Sequence, residues 1–254
     1  FASTAAFGQL HAEAYASAAQ LGVEQGLSLA KSLRSGAAAS AAAEPGLYGF
    51  AQLFGDWRTL KGDAVIGTAR AKSRSHGLLG GIGFGSEAAS IGAFVGYMDG
   101  RQTIAGLDAR TDSDGVIAGI AGHVETGGLT LHALIAHDWS DATTDRAVPG
   151  AARVTGDHRL RSFVVNAAIG YELAAGTNWA VRPEAGLTHV STRRGAVAET
   201  GSAAFGLAFD SERVKATFVD ASLALVGGQA DDAAVEPWIK AGFRYQLDGE
   251  ATTA

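Results

Sequence analysis

The sequence predicts an all-β protein, a transmembrane antiparallel up-and-down β-barrel with an N-terminal α-helix in its lumen. Apolar and polar residues alternate in several segments after residue 46, as they do in strands with one apolar and one polar face. Mean hydropathy is +0.10, although the sequence contains no run of about 18 apolar residues that would predict a membrane-spanning helix. A slim segment of helix-forming residues precedes the strands.

The composition narrows the class of protein. The 254 residues include 35 Gly but only 4 Pro, so much of the glycine must lie in ordered elements, where it marks bends or close backbone approach. The chain has no Cys, which excludes a disulfide scaffold, a thiolate zinc site and a Cys nucleophile. The net charge of -6 argues against an overall field that would attract nucleic acid or anionic lipid.

The helix is predicted over residues 7–34, which contain no Pro and are rich in Ala, Leu, Glu and Gln. Lys31 and Arg34 suit its last turn and Gly36 suits its end. Its apolar residues are mostly small and form no wide face, so we expect it to fill a barrel lumen. We divide the chain into a pore-threading helix (1–36), a linker (37–46) and a barrel (47–254). The predicted plug residues are Leu10, Glu13, Gln20, Glu24 and Gln25.

The clearest alternation occurs in residues 163–173, 179–190 and 235–247, where one face is apolar and the other carries charged, small or polar residues. Charges next to Gly fit a wet lumen better than a surface in bulk water. The apolar rows end in aromatic residues, as expected at a membrane interface. The predicted lumen-lining residues are Asn166, Glu172, Arg182, Glu184, Thr188, Asp220, Ser222, Glu236, Lys240 and Arg244.

The spacing of the strands adds to this prediction. Nine strands are recognisable, and their connections alternate between long and short, with 140–159 among the long ones. Outer-membrane barrels have long loops on one side and short turns on the other. Because closed barrels of this type normally have an even number of strands, we expect either that closing strands are missing after residue 247 or that the count is off by one.

Two alternatives remain open on the residues alone. A soluble β-scaffold that serves as a binding module would also alternate, but its apolar face would point into a core. A passive porin-like channel would share the barrel but would not be plugged by its helix. The apolar row at Val165, Ile169, Leu187, Ile239 and Phe243 separates barrel from scaffold, because it faces lipid only in the barrel.

Four stretches in order resemble the autotransporter β-domain family of type V secretion: LHAEAYAS (10–17), GLYGFAQLFGDW (46–57), VRPEAGLTHV (181–190) followed by ETG (199–201), and VEPWIKAGFRYQL (235–247). The resemblance covers nearly the whole chain. It implies a twelve-stranded barrel in the Gram-negative outer membrane that exports and anchors an N-terminal passenger. The implied partners are outer-membrane lipid, the barrel-assembly machinery and the passenger itself. By this resemblance we expect the family's C-terminal strands with their terminal aromatic residue to be missing here, and residues 1–34 lack the Asn that one subgroup uses for self-cleavage.

No pattern predicts catalysis, a metal or a cofactor. His132, His137, Asp138 and Asp145 could suggest a metal cluster or a His/Asp pair, but a five-residue spacing puts the two His on opposite faces of a strand. The glycine-rich stretch 80–85 lacks the Lys-Ser/Thr pair and the following helix of a phosphate loop. No Gly-x-Ser-x-Gly motif is present. The sequence does not indicate what the passenger does.

Overall fold

A computed structural model describes residues 13–35, 45–61, 69–148, 152–174, 178–201, 204–227 and 237–249. One α-helix, α1 (Glu13–Ser35), precedes the strands. Glu13 lies in its first turn and Arg34 in its last, so both charges complement the helix dipole. Residues 7–12 of the predicted helix, with Leu10, lie outside the described residues. No helix in the described part of the chain is long and apolar enough to cross a membrane.

Twelve strands follow α1 in the described residues, nine long and three of two residues each. The long strands are β1 (Gly46–Leu60), β2 (Ala71–Gly85), β3 (Ala89–Ile104), β4 (Ala109–Thr126), β5 (Leu129–Val148), β6 (Ala152–Tyr171), β8 (Trp179–Arg194), β11 (Glu212–Gly227) and β12 (Trp238–Gly249). The short strands are β7 (Leu173–Ala174), β9 (Val197–Ala198) and β10 (Ala208–Phe209).

The long strands form one antiparallel sheet in which each strand pairs with the next long strand along the chain. The order is β1-β2-β3-β4-β5-β6-β8-β11-β12, and β7 pairs with β8. This up-and-down order is that of the predicted barrel, and α1 lies on the inner side of the sheet. Among the described residues, no ladder joins β12 to β1.

The two faces of the sheet follow the predicted alternation. Ile169 and Leu187 are exposed on the outer face, as are Ile239 at 67% and Phe243 at 68%, whereas Asn166 and Thr188 are buried on the inner face. The outer apolar stretches span 116–124 on β4, 131–139 on β5 and 163–171 on β6, close to the about 9–11 residues of a tilted membrane-crossing strand. The predicted aromatic residues at the ends of these rows are also exposed: Trp57, Tyr97, Trp139, Tyr171, Trp179 and Tyr245.

The predicted alternation of long and short connections holds only in part: the long connection predicted over 140–159 is wrong, and only residues 105–108 separate β3 from β4. Strand β5 continues to Val148 and β6 begins at Ala152. Here the alternation continues with a polar outer face: Arg159 pairs with Asp141, and Thr143 Oγ1 donates to Asp157 at 2.7 Å. We call the stretches 109–115, 140–148 and 152–162, which extend the sheet beyond its apolar band, the polar collar.

The core lies between α1 and the inner face of the sheet. It contains Leu27 and Leu33 of α1, packed in one cluster with apolar residues of the strands. A smaller cluster surrounds Ala14 at the start of α1. The protein therefore buries its helix in its interior and leaves the apolar band of its strands exposed.

Candidate functional site

The interface between α1 and the barrel wall is the candidate functional site. Residues 18–30 of α1 are all buried, including the polar Gln20, Glu24, Gln25 and Ser28. The strands therefore surround the helix on every side, whereas a helix that packs on the outside of a sheet keeps a solvated face. Buried polar side chains need partners, and the barrel wall supplies several of them.

An ion-pair cluster holds the last turn of α1. Arg34 Nη2 donates to Asp220 Oδ2 at 2.9 Å, and Arg34 Nη1 lies 3.4 Å from Glu184 Oε1. Lys240 Nζ lies 3.4 Å from the same Glu184 oxygen. The side chains of Arg34, Glu184 and Asp220 are 8%, 17% and 10% exposed. We call Arg34, Glu184, Asp220 and Lys240 the Arg34 cluster.

The Arg34 cluster depends on a glycine in the wall. Gly186 lies between the inward positions of Glu184 and Thr188 on β8, opposite Asp220 on β11. A Cβ built at Gly186 would overlap Arg34 Nη1. The guanidinium of Arg34 occupies the space that a side chain at position 186 would fill. Alanine at this position would therefore displace Arg34 from Asp220.

Hydrogen bonds and an ion pair hold the middle of α1. Glu24 Oε2 lies 2.5 Å from Arg58 Nη1 of β1, and its other oxygen accepts from Gln20 Nε2 at 2.9 Å. On the opposite side of the lumen, Gln25 Nε2 donates to Ser113 Oγ of β4 at 3.1 Å. These contacts reach different strands, so they fix the rotation of the helix as well as its depth.

The outer end of α1 is held by a connection between strands. Glu199, which follows β9, accepts from Arg146 Nε and Nη2, both at 2.6 Å. It also accepts from Tyr15 Oη at 2.8 Å and from the backbone N–H of Leu207 at 2.7 Å. The Arg146 and Glu199 side chains are 2% and 0% exposed. We call Tyr15, Arg146 and Glu199 the Arg146 cluster.

Hydrogen bonding explains the ionisation of Glu199. Burial alone raises the pKa of its carboxyl, because a charge loses water there. The hydrogen bonds from Arg146, from the Leu207 N–H and from Tyr15 outweigh burial, and the pKa lies below its ordinary value. Glu199 is therefore a carboxylate at neutral pH and compensates the buried charge of Arg146.

The sequence matches the family Autotransporter beta-domain over residues 49–254. The chain belongs to the autotransporter beta-domain family. The fold is similar to the translocator domain of the autotransporter NalP from Neisseria meningitidis, with 19% identity, a TM-score of 0.77 and coverage of 94% of this chain and 80% of that one. It is also similar to the beta domain of the Bordetella autotransporter BrkA, with 18% identity, a TM-score of 0.60 and 80% of each chain covered. No curated protein matches the sequence.

The remaining predicted residues occupy several places in this autotransporter β-domain. Asn166 Nδ2 donates to Thr188 Oγ1 at 2.9 Å within the wall, and Glu172 pairs with Arg182 at 2.5 Å where both side chains are partly exposed. Arg244 and Ser222 face inward and are partly buried. Glu13 Oε1 accepts from the Ala69 N–H at 2.6 Å. Glu236 lies outside the described residues.

Sequence reasoning missed the main contacts of α1. Arg34 was considered only as a charge that suits the helix dipole, Glu199 only as part of a family-like stretch, and Arg58 and Arg146 were not singled out. Arg58 could have been found, since it is an even-numbered residue of β1 like Gln52 and Asp56 and therefore faces inward with them. The pairing of Arg146 with Glu199 could not, because the two residues are far apart in sequence and a connection between strands brings them together.

The four residues weighed as a metal or catalytic group do not converge. His132 faces inward and stacks on His123, with ring centroids 4.7 Å apart, whereas His137 faces outward against Trp139 at 4.3 Å. Asp138 accepts from Ser140 Oγ at 2.6 Å, and Asp145 pairs with Arg153. In the part of the chain that the structure describes, no group of three or more His, Cys, Asp or Glu could hold a metal.

We expect Gly26→Leu to unseat α1 of this autotransporter β-domain. A Cβ at Gly26 would already lie 2.8 Å from Val164 Cγ2 and 3.1 Å from Val190 Cγ1, and overpacking of this kind costs about 1–3 kcal/mol. The variant should lose its heat-modifiable migration on gels at a lower temperature than the parent. Ala16→Leu, at a half-buried position of the same helix, is the matched control. Equal shifts for both variants would contradict tight packing at Gly26.

Proposed function

We propose that this chain is the outer-membrane translocator and anchor of an autotransporter, which enables export and surface display of an N-terminal passenger. The single observation that carries the proposal is α1, which is buried around its whole circumference inside the sheet although it carries Glu24, Gln25 and Arg34. A helix of this polarity fits a lumen and not a lipid surface. Membership of the autotransporter beta-domain family supports the same role.

In this proposal, residues 1–36 thread the pore, residues 37–46 link them to the wall, and residues 47–254 belong to the barrel. The apolar band of the strands contacts outer-membrane lipid, the barrel-assembly machinery inserts the protein, and the passenger is joined to the chain before α1. Of the predicted lumen-lining and plug residues, Glu184, Asp220, Glu24 and Gln25 hold α1 in place, and the proposal gives none of them a catalytic role. The family and its fold are those of a translocator domain.

The orientation follows from the two ends of the sheet. Tyr15, near the start of α1, contacts the connection between β8 and β11, whereas Arg34 lies at the opposite end of the helix. Longer loops face the cell exterior in outer-membrane barrels and short turns face the periplasm. The start of α1 would then face outward, which is the direction in which a passenger must leave.

Conductance in planar bilayers tests the plug. We expect the purified protein to conduct weakly and a variant without residues 1–36 to conduct several times better, because α1 fills the lumen. Deletion of residues 1–12 alone keeps α1 and is the control. Unchanged conductance after removal of residues 1–36 would favour a passive porin-like channel and would contradict the proposal that α1 plugs the lumen.

Surface display is tested separately in cells. An epitope fused before Phe1 should be reached by antibody on intact cells when the barrel is present. Detection of the epitope only after the outer membrane is permeabilised would contradict export through this barrel. The exposed apolar band already argues against a soluble β-scaffold, since such a scaffold buries its apolar face.

A further inference from the structure

A row of arginines crosses the outer face of three neighbouring strands. Arg161 of β6 lies opposite Arg193 of β8, and Arg193 lies opposite Arg213 of β11. Lys215 is two residues beyond Arg213 and therefore points to the same face. The alternating burial of the three strands turns these side chains away from the lumen. We call Arg161, Arg193, Arg213 and Lys215 the cationic patch.

In the described part of the chain, the hydrogen bonds of the cationic patch go to neutral acceptors. Arg161 Nη1 donates to the carbonyl oxygens of Ser140 and Leu160 at 2.7 and 2.9 Å. Arg193 Nη2 donates to Ser211 Oγ at 3.1 Å. These acceptors are neutral, and no carboxylate of the described residues forms an ion pair with any member of the patch. The hydrogen bonds position two of the guanidinium groups and leave their remaining N–H donors available.

Other outward arginines show that this arrangement is local. On the outer face of β3 and β4, Arg101 pairs with Asp112 at 2.5 Å. At the start of β6, Arg153 pairs with Asp108 at 2.9 Å. Like charges directly opposite each other on neighbouring strands destabilise a sheet. Three adjacent arginines that form no ion pair among the described residues are therefore suited to bind an anion from outside the chain.

The position of the cationic patch indicates where that anion comes from. Arg161 occupies the next outward position after Phe163, which is 42% exposed in the apolar band. Ser191 of β8 lies opposite Phe163 on one side and Lys215 on the other, so these two residues are in one row across the strands. The patch thus begins where the apolar band ends. It lies toward the end of the barrel that carries the β8–β11 connection, which the proposed orientation places in the outer leaflet.

We propose that the cationic patch binds the phosphate groups of a phosphorylated sugar lipid in the outer leaflet. Arginine presents a planar fork of donors that binds phosphate through two parallel hydrogen bonds, and a row of three matches a headgroup that carries more than one phosphate. The acyl chains of the same lipid would lie against Phe163 and the apolar band below it. The inference rests on the proposed outer-membrane location.

Binding of bisphosphorylated lipid A to the purified protein in zwitterionic detergent tests the proposal. We expect the triple variant Arg161→Gln, Arg193→Gln, Arg213→Gln to bind about 100-fold more weakly, from about fivefold for each arginine near a lipid headgroup. Dephosphorylated lipid A and phosphatidylglycerol should bind the parent protein weakly, and inorganic phosphate should compete only at high concentration. Unchanged heat-modifiable migration shows that the exposed substitutions leave the barrel folded.

The matched control is Arg101→Gln, Arg110→Gln, Arg153→Gln, which removes the same charge from three outward arginines that pair with Asp112 or Asp108. It should bind lipid A as the parent does. An equal loss of affinity for lipid A in both triple variants would show that only net charge matters and would contradict a specific site at the cationic patch. Equal affinity for dephosphorylated lipid A or for phosphatidylglycerol would overturn the choice of ligand. The binding assay needs no passenger. A negative binding result would therefore not contradict export through the barrel, and a negative export result would not affect the interpretation of the binding assay.

Discussion

Replacement of Arg34 by methionine is expected to release the inner end of α1 and to open the pore. The substitution leaves Asp220 and Glu184 without the guanidinium that lies between them, although Lys240 stays beside Glu184 and Arg244 lies opposite Asp220 on β12. Breaking a buried ion pair by removing one partner costs about 3–5 kcal/mol. Because Glu184 is partly exposed, we expect the cost of losing Arg34 to lie toward the lower end of that range.

Two measurements follow the loss of Arg34. The temperature at which the protein stops migrating as a folded species on gels should fall, and single-channel conductance in a planar bilayer should rise toward that of the protein without residues 1–36. In the double variant Arg34→Met, Asp220→Asn, part of the stability should return, since the uncompensated carboxylate is gone. A double variant as unstable as the sum of the single ones would show that the two residues do not interact.

The control lies one turn away on the same helix. Lys31 pairs with Asp56 at 3.7 Å, and its side chain is 66% exposed. Exposed ion pairs contribute about 0–1 kcal/mol, so Lys31→Met should change neither the gel migration nor the conductance by much. If Lys31→Met were as disruptive as Arg34→Met, helix charge and not the Arg34 cluster would hold α1.

Replacement of Glu199 by glutamine is expected to detach the β8–β11 connection from the outer end of α1. Glutamine keeps the shape of the side chain but leaves the charge of Arg146 buried without its carboxylate. The expected cost is again about 3–5 kcal/mol. The amide of Leu207, which donates to Glu199, should lose its protection from hydrogen exchange. The amides of the main sheet should keep theirs under the same conditions.

Acidification should mimic this substitution. The pKa of Glu199 lies below its ordinary value in the folded protein, so its contribution is fully present above the unfolded pKa of about 4.3. It is lost as the pH falls through the folded pKa. The difference in stability between the parent and Glu199→Gln should therefore shrink below about pH 4. A difference that stays constant down to the lowest pH would contradict the role of the carboxylate.

Glu212→Gln is the matched control for Glu199→Gln. Glu212 lies 3.4 Å from Arg194, and its side chain is 48% exposed, so its loss should cost little. Comparable destabilisation by both substitutions would contradict a special role for the buried pair.

The faces of the strands could be predicted from the sequence, and the reason is physical. An apolar band must meet lipid on one side, so the period-2 pattern at Ile169, Leu187, Ile239 and Phe243 is strong. The all-β class and the inward parity of Asp220 follow from the same pattern. The polar collar escaped prediction because its outer face is polar too, and stretches such as 140–148 then resemble loops when only an apolar row is sought.

The contacts of α1 could not be predicted for a different reason. Period-2 alternation tells which face a residue occupies but not how deep the helix lies or how it is rotated. Arg34 reaches Asp220 only because Gly186 leaves space for it, and Tyr15 reaches Glu199 only because the β8–β11 connection folds back over the helix. Both depend on three-dimensional placement that a single sequence does not encode locally.

The polar collar also bears on the fate of an exported chain. Strand β5 continues from Ser140 to Val148, about 30 Å along the strand, and Ala14 and Tyr15 stay buried at this level. In the proposed export role, proteases at the cell surface would therefore cut a passenger beyond the rim of the collar and would not reach α1. Shedding the passenger would leave a stub that still seals the channel, so release and loss of the permeability barrier are separate events.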